Sequence, residues 1–180
     1  MARALIVGCG CRGRALGQRL IAEGWVVRGT ARESSGVDRV SDAGIEGALA
    51  DPNQPGTILN QVGDVTVVVY LLGSATGDPG GVSTIHGPRL QSLLEKLVDT
   101  PVRGFVYEAR GSVDPAVLAA GREIVAAAAE RWRIPVAFLE GVTSDGAAEE
   151  VLRAVLGLVG QELNGGGALD AARLDPGAPS

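Results

Sequence analysis

The sequence predicts a doubly wound α/β domain, three layers deep: six parallel strands in the order 3-2-1-4-5-6 with helices on both faces. Three observations lead there. Short β-branched runs alternate with longer stretches of helical spacing, as parallel strands and crossover helices do. The 180-residue chain is 46% hydrophobic but has only two each of Trp, Tyr and Phe, so one aliphatic core is expected rather than two domains. Right-handed crossovers between parallel strands then restrict the strand order and place a ligand crevice at the carboxyl ends of strands one and four.

Residues 2–7 read as the first strand and 14–23 as a helix, ended by Gly24. Residues 25–29 form the second strand, and the Arg-, Ser-, Gly- and Asp-rich stretch after them reads as a loop. A third strand over 45–50, a short helix over 55–62 and a fourth strand over 65–72 follow, the last apolar enough to be buried on both faces. Residues 73–81 are a glycine-rich loop containing Pro79. The next helix, over 84–98, carries Ile85, Leu90, Leu93, Leu94 and Leu97 near helical spacing. Strand five is 102–107, and Pro115 suits the first turn of a long helix reaching about Arg131. Strand six is 134–139, and 147–163 reads as a closing amphipathic helix. The domain is therefore expected over 1–163, with a flexible tail over 164–180 that lacks periodic hydrophobes.

The formal net charge of −5 argues against nucleic acid and anionic membranes as partners, since both require a basic patch. The apolar stretch over 4–7 is too short for a signal peptide, and 65–72 falls well short of the roughly 20 residues that span a bilayer. A soluble cytoplasmic protein is the expectation. Fifteen arginines contrast with a single lysine, Lys96, and a single histidine, His86, read as a surface or capping residue. Cys9 and Cys11 are too close in sequence for an unstrained disulfide and too few for a metal site, so they read as small, reduced loop residues.

The crevice edge contains the loops beginning at Gly8, Ala31, Asp51, Gly73 and Glu108. In the first of these, Gly8-Cys9-Gly10-Cys11-Arg12-Gly13 matches G-x-G-x-x-G between a strand and a helix. Gly8 permits the turn, Gly10 admits a pyrophosphate, and Gly13 lets helix and strand pack closely. The helix N-terminus, which follows Cys11 and Arg12, offers N–H groups to the anion. In this setting the motif reads as a dinucleotide site rather than a turn needed only for packing. An NAD enzyme would place a carboxylate at the end of strand two, where Gly29-Thr30-Ala31-Arg32 stands instead. Thr30, Arg32 and Arg12 favour NADP with its 2′-phosphate, and NAD is the alternative. Asp51 could accept the adenine amino group or simply start a turn. Gly73 and Ser74 stand where the nicotinamide end would lie.

On the glycine loop, Gly29-Thr30-Ala31-Arg32, Asp51 and Gly104-Phe105-Val106-Tyr107, the chain resembles the short-chain dehydrogenase/reductase superfamily, in particular its extended and atypical, nucleoside-diphosphate-sugar epimerase-like branch. The resemblance covers residues 2–160 and is specific in the cofactor half. Pro135-Val136-Ala137-Phe138-Leu139 looks like that branch's sixth strand, although Glu140 stands where arginine before a proline is common. The resemblance implies a Tyr-x-x-x-Lys proton-transfer pair on the helix after strand five. The sequence departs from it there: Tyr70 and Tyr107 lie in strands, Lys96 follows Ser92 at that spacing, and the expected helix carries Leu118 and Arg122. Glu108-Ala109-Arg110-Gly111-Ser112 replaces the usual serine or threonine after strand five; at the crevice edge Glu108 and Arg110 could bind or protonate a ligand, or form a solvated pair. No catalytic residue is assigned. The expected function is NADP binding, either with an unconventional oxidoreductase or epimerase-like site acting on a small molecule, or as a non-catalytic dinucleotide sensor or assembly partner. The two long helices, by the resemblance, could form a homodimer interface. A methyltransferase would want an acid ending strand two, which Arg32 opposes.

Overall fold

A computed structural model describes residues 2–140 and, beyond them, Gly157. The closing helix expected over 147–163, that one residue apart, and the tail lie outside the described residues. Six strands run through the described part: β1 (Arg3–Val7), β2 (Val26–Ala31), β3 (Glu46–Leu49), β4 (Val67–Tyr70), β5 (Gly104–Glu108) and β6 (Val136–Leu139). They form one sheet in the order β3-β2-β1-β4-β5-β6, parallel throughout, with Ile6 opposite both Gly29 and Val69. The expected Rossmann topology is present.

Alternation along the central strands divides the core between the two faces. Leu5, Val7, Val68, Tyr70, Phe105 and Tyr107 point to one side, where they meet Ile58 of α3 (Pro55–Leu59), Leu90, Leu93, Leu94 and Leu97 of α5 (Pro88–Leu97), and Val125 of α6 (Pro115–Trp132). Ala4, Ile6, Val67, Val69 and Val106 point to the other, against Leu16 and Leu20 of α1 (Cys11–Ala22) and Val40 of α2 (Ser34–Asp42). At the amino edge of the sheet, Arg3 and Arg28 each pair with both Glu46 and Asp64, clamping the starts of four strands. Arg28 holds the Asp64 carboxyl below its usual range chiefly through their hydrogen bond.

Two segments differ from the sequence expectation. The polar stretch after β2 is a helix, α2, although Ser, Gly and Asp are poor helix formers. Burial outweighs propensity there: Val40 is fully buried, and Gly47 of β3 lies so close that a Cβ on it would meet the Val37 carbonyl at 2.8 Å. The helix expected over 84–98 is instead two. Asp78 caps α4 (Pro79–Ile85) by accepting from the Gly81 N–H at 3.0 Å, so helix begins inside the expected glycine loop. The chain then breaks at His86 and Gly87, because Pro88 disfavours helical geometry in the residue before it. The start expected at Pro115 is present, with Asp114 accepting from the Ala116 N–H at 2.9 Å.

Candidate functional site

The glycine loop leaves β1 through Gly8, whose φ of +80° is left-handed; a Cβ there would meet Leu72 Cδ2 at 2.6 Å and the Leu71 carbonyl at 2.8 Å. Gly13 is the close-packing position, with Ile6 and the Cys9 sulfur 3.2 and 3.3 Å from where its Cβ would stand. Gly10 is the reverse case: nothing lies within 4 Å of its Cβ position, so the backbone there faces open space. Each glycine therefore meets a different steric demand. Thr30 ties the loop to β2, its carbonyl accepting from the Cys9 N–H at 2.9 Å and its hydroxyl from the Gly8 N–H at 3.3 Å. The first turn of α1 carries no acidic side chain and no side-chain cap, leaving its N–H groups for a ligand.

In front of the loop is a cavity of about 670 Å³ at the carboxyl edge of the sheet, lined by the segments after β1, β2, β3 and β4 and by α4. Of the residues singled out in the sequence, Gly8, Gly10, Cys11, Arg12, Gly13, Thr30, Arg32 and Ser74 line it. Asp51 and Gly73 do not. Asp51 closes a turn, its carboxylate accepting from the Asn53 N–H at 2.9 Å, while its neighbours Pro52 and Asn53 face the cavity. Gly73 is packed beneath, its N–H donating to Glu108 at 2.8 Å.

Arg14, Arg39 and Asn53 also line the cavity and went unnoticed in the sequence. Arg39 stands three residues beyond Gly36, another lining residue, on α2. The i, i+3 apolar pair Val37 and Val40 was the signal for that helix. The lining thus has four guanidinium groups, from Arg12, Arg14, Arg32 and Arg39. Its one carboxylate, Asp78, is occupied in capping α4. In a chain of net charge −5 this is a local reversal of sign that suits a polyanion.

Glu108 is buried and pairs with Arg12 at 2.5 Å, so it is not half of a solvated pair with Arg110 as its sequence spacing suggested. The loops after β4 and β5 are in backbone contact. A Cβ on Gly111 would collide with the Gly73 carbonyl, the Val113 N–H donates to that same carbonyl at 3.0 Å, and the Ser112 N–H donates to Ser74 Oγ at 3.2 Å.

His86 is buried, contrary to its reading as a surface residue. Nε2 lies 2.9 Å from the Leu72 carbonyl, which can only accept, so Nε2 has the proton and Nδ1 accepts from the Tyr107 hydroxyl at 2.7 Å. Burial lowers the pKa of His86 and raises that of Tyr107. Tyr70 is likewise buried, donating to the Ile85 carbonyl at 2.6 Å. Neither tyrosine lines the cavity, nor does Lys96, exposed in the last turn of α5. Arg122 pairs with Glu140 and stacks 4.4 Å over the Phe138 ring, also away from the cavity. Cys9 is buried and fills the gap between Gly13 and Gly29. Burial pushes its thiol up to about 11, which leaves it protonated near neutral pH.

Fold and cavity together define the class: a Rossmann α/β protein with an arginine-rich site at its glycine loop. No protein-family model matches the sequence, and no curated protein does. Among solved structures, the chain is similar to UDP-glucuronic acid 4-epimerase from Bacillus cereus in complex with NAD (16% identity, TM-score 0.62), covering 77% of this chain and 55% of that one. It is similar to a short-chain dehydrogenase/reductase superfamily protein from Agrobacterium tumefaciens with bound NAD (19%, TM-score 0.64; 77% and 48% covered). Triphenylmethane reductase of Citrobacter sp. complexed with NADP(H) is similar too (19%, TM-score 0.59; 78% and 49% covered). The chain spans about half the length of these proteins, and the likeness is one of fold.

Proposed function

We propose that the protein binds NADP in this cavity. The observation that carries the reading is the combination of an open Gly10 backbone at the start of α1 with four arginines, two after β1 and two after β2, lining the cavity in front of it. The residues present fit the group. N–H groups of the first turn of α1 would hold the pyrophosphate, and Arg32 with Arg39 would hold the 2′-phosphate, where an NAD site would have a carboxylate. Asn53, Pro52 and Val82 would surround the adenine.

A bound nicotinamide would supply hydride transfer. The chain's own residues favour either an unconventional oxidoreductase or epimerase-like site, or a dinucleotide sensor. The second reading gains support from Tyr70 and Tyr107, whose hydroxyls are committed to Ile85 and His86 inside the core. Calorimetric titration with NADPH and NADH tests the binding. NADPH is expected to bind more tightly and, at about 100-fold excess over its Kd, to add about 2.7 kcal/mol of stability. No binding of either at millimolar concentration refutes the proposal. Turnover of NADPH with a panel of carbonyl and nucleotide-sugar substrates, lost in Gly10→Asp, decides for enzyme over sensor. Among the described residues no helix is long and apolar enough to cross a membrane. A homodimer through α5 and α6 is the assembly we propose to look for.

A further inference from the structure

Glu108 ends β5 with a side chain only 4% exposed and with two partners, the Gly73 N–H on Oε2 and Arg12 Nη1 on Oε1. A carboxylate this buried is stable only while paired. Arg12 is 41% exposed and lines the cavity from the first turn of α1. One guanidinium is thus shared between an internal anion and whatever anion enters the glycine loop.

We infer that Glu108 sets the selectivity of the cavity, competing internally for Arg12 so that this arginine is surrendered only to a ligand with a diphosphate bridge in the glycine loop. The inference rests on the dinucleotide reading and deepens it. A diphosphate brings two charges and several oxygens to the guanidinium, enough to replace one carboxylate in a forked geometry. A lone phosphate held by Arg32 and Arg39 is expected to lie too far off to use it, which moves Arg12 from the 2′-phosphate role read in the sequence to the diphosphate. Those arginines follow β2, which is separated from β5 by β1 and β4, so three strand spacings, about 14 Å, intervene. Glu108 therefore weakens binding of ligands that use Arg12 and leaves the others untouched.

The test compares NADP+, which has the diphosphate, with adenosine 2′-monophosphate, which does not. Glu108→Gln keeps an acceptor for the Gly73 N–H while releasing Arg12. It is expected to bind NADP+ at least about tenfold more tightly than wild type, the scale of one charge-assisted hydrogen bond to a buried carboxylate, with adenosine 2′-monophosphate unchanged. The double variant Arg12→Met/Glu108→Gln removes one charge of each sign and is expected to show no gain. Glu108→Asp, too short to hold both partners, should give a smaller gain of the same kind. An unchanged or weaker Kd for NADP+ in Glu108→Gln, an equal gain for both ligands, or a gain retained in the double variant overturns the inference. So does loss of the fold in both Glu108 variants, which would make the residue purely structural. If wild type binds NADP+ but the variants do not differ, only this inference falls; if wild type binds neither ligand, the dinucleotide reading falls with it.

Discussion

The imidazole of His86 and the hydroxyl of Tyr107 lie 2.7 Å apart inside the core, and together they join four elements. His86 follows α4 and donates to the carbonyl of Leu72, just after β4; Tyr107 belongs to β5 and abuts Gly121 of α6, where a Cβ would collide with its hydroxyl. Rings from β4 and β5 stack beneath, with Tyr70 and Tyr107 6.2 Å apart at 19°. The break between α4 and α5 is thereby pinned to the edge of the cavity, which Val82 and Ile85 of α4 help to line.

The pH dependence of stability follows from this pair. His86 is buried neutral, so its folded pKa is below its unfolded value of about 6.5 and the unfolded chain binds the extra proton. The contribution is intact above that value and declines as pH falls from it toward the lowered folded pKa. Urea midpoints should drop between pH 7.5 and 5.5 in wild type, and His86→Gln should lose part of that drop. An identical pH profile in the variant would contradict the assignment.

Gly121→Ala should destabilise the protein by about 1–3 kcal/mol through overpacking, despite the roughly 1 kcal/mol that alanine gains over glycine in a helix. Tyr107→Phe alone leaves His86 Nδ1 unsatisfied and should cost about 1–3 kcal/mol. The double variant should be more stable than the sum of the two predicts, since the colliding oxygen is gone. Denaturant unfolding of all four proteins measures the coupling, and strict additivity would count against the packing account.

Two glycines of one loop should respond oppositely to alanine. Gly8→Ala is forced into a left-handed conformation and against Leu72, a cost of about 1–3 kcal/mol in stability. Gly10→Ala places its methyl in open space, so stability should stay within about 0.5 kcal/mol while NADPH affinity falls by about tenfold or more. Thermal melts with and without NADPH separate the two effects.

Arg32→Ala and Arg39→Ala should each weaken NADPH by about tenfold, the loss of one charge-assisted contact, and leave NADH nearly unchanged. Equal losses for both cofactors would place these arginines away from the 2′-phosphate.

Much of the architecture was legible because it is written locally. The β1 run, the G-x-G-x-x-G spacing and the helix-starting prolines Pro55 and Pro115 each act within a few residues, and alternation of strand and helix led to the strand order. Helix α2 was missed because its residues disfavour helix locally and it is held by packing on the sheet, through Val40 and through Val37 against Gly47. Arg39 was missed with it. The two-helix segment around His86 looked continuous because apolar spacing persists across a break imposed by Pro88.

The sequence by itself determined the Rossmann fold, the position of the glycine loop and the want of a carboxylate at the end of β2, since periodicity and short motifs encode these within single elements. Tertiary structure alone decided that His86 is buried, that Glu108 holds Arg12, and that four arginines line one cavity. Those depend on partners far apart in the chain, brought together when parallel strands stack their carboxyl ends at one edge. There burial makes a charge or an imidazole choose a partner, which spacing along the sequence does not reveal.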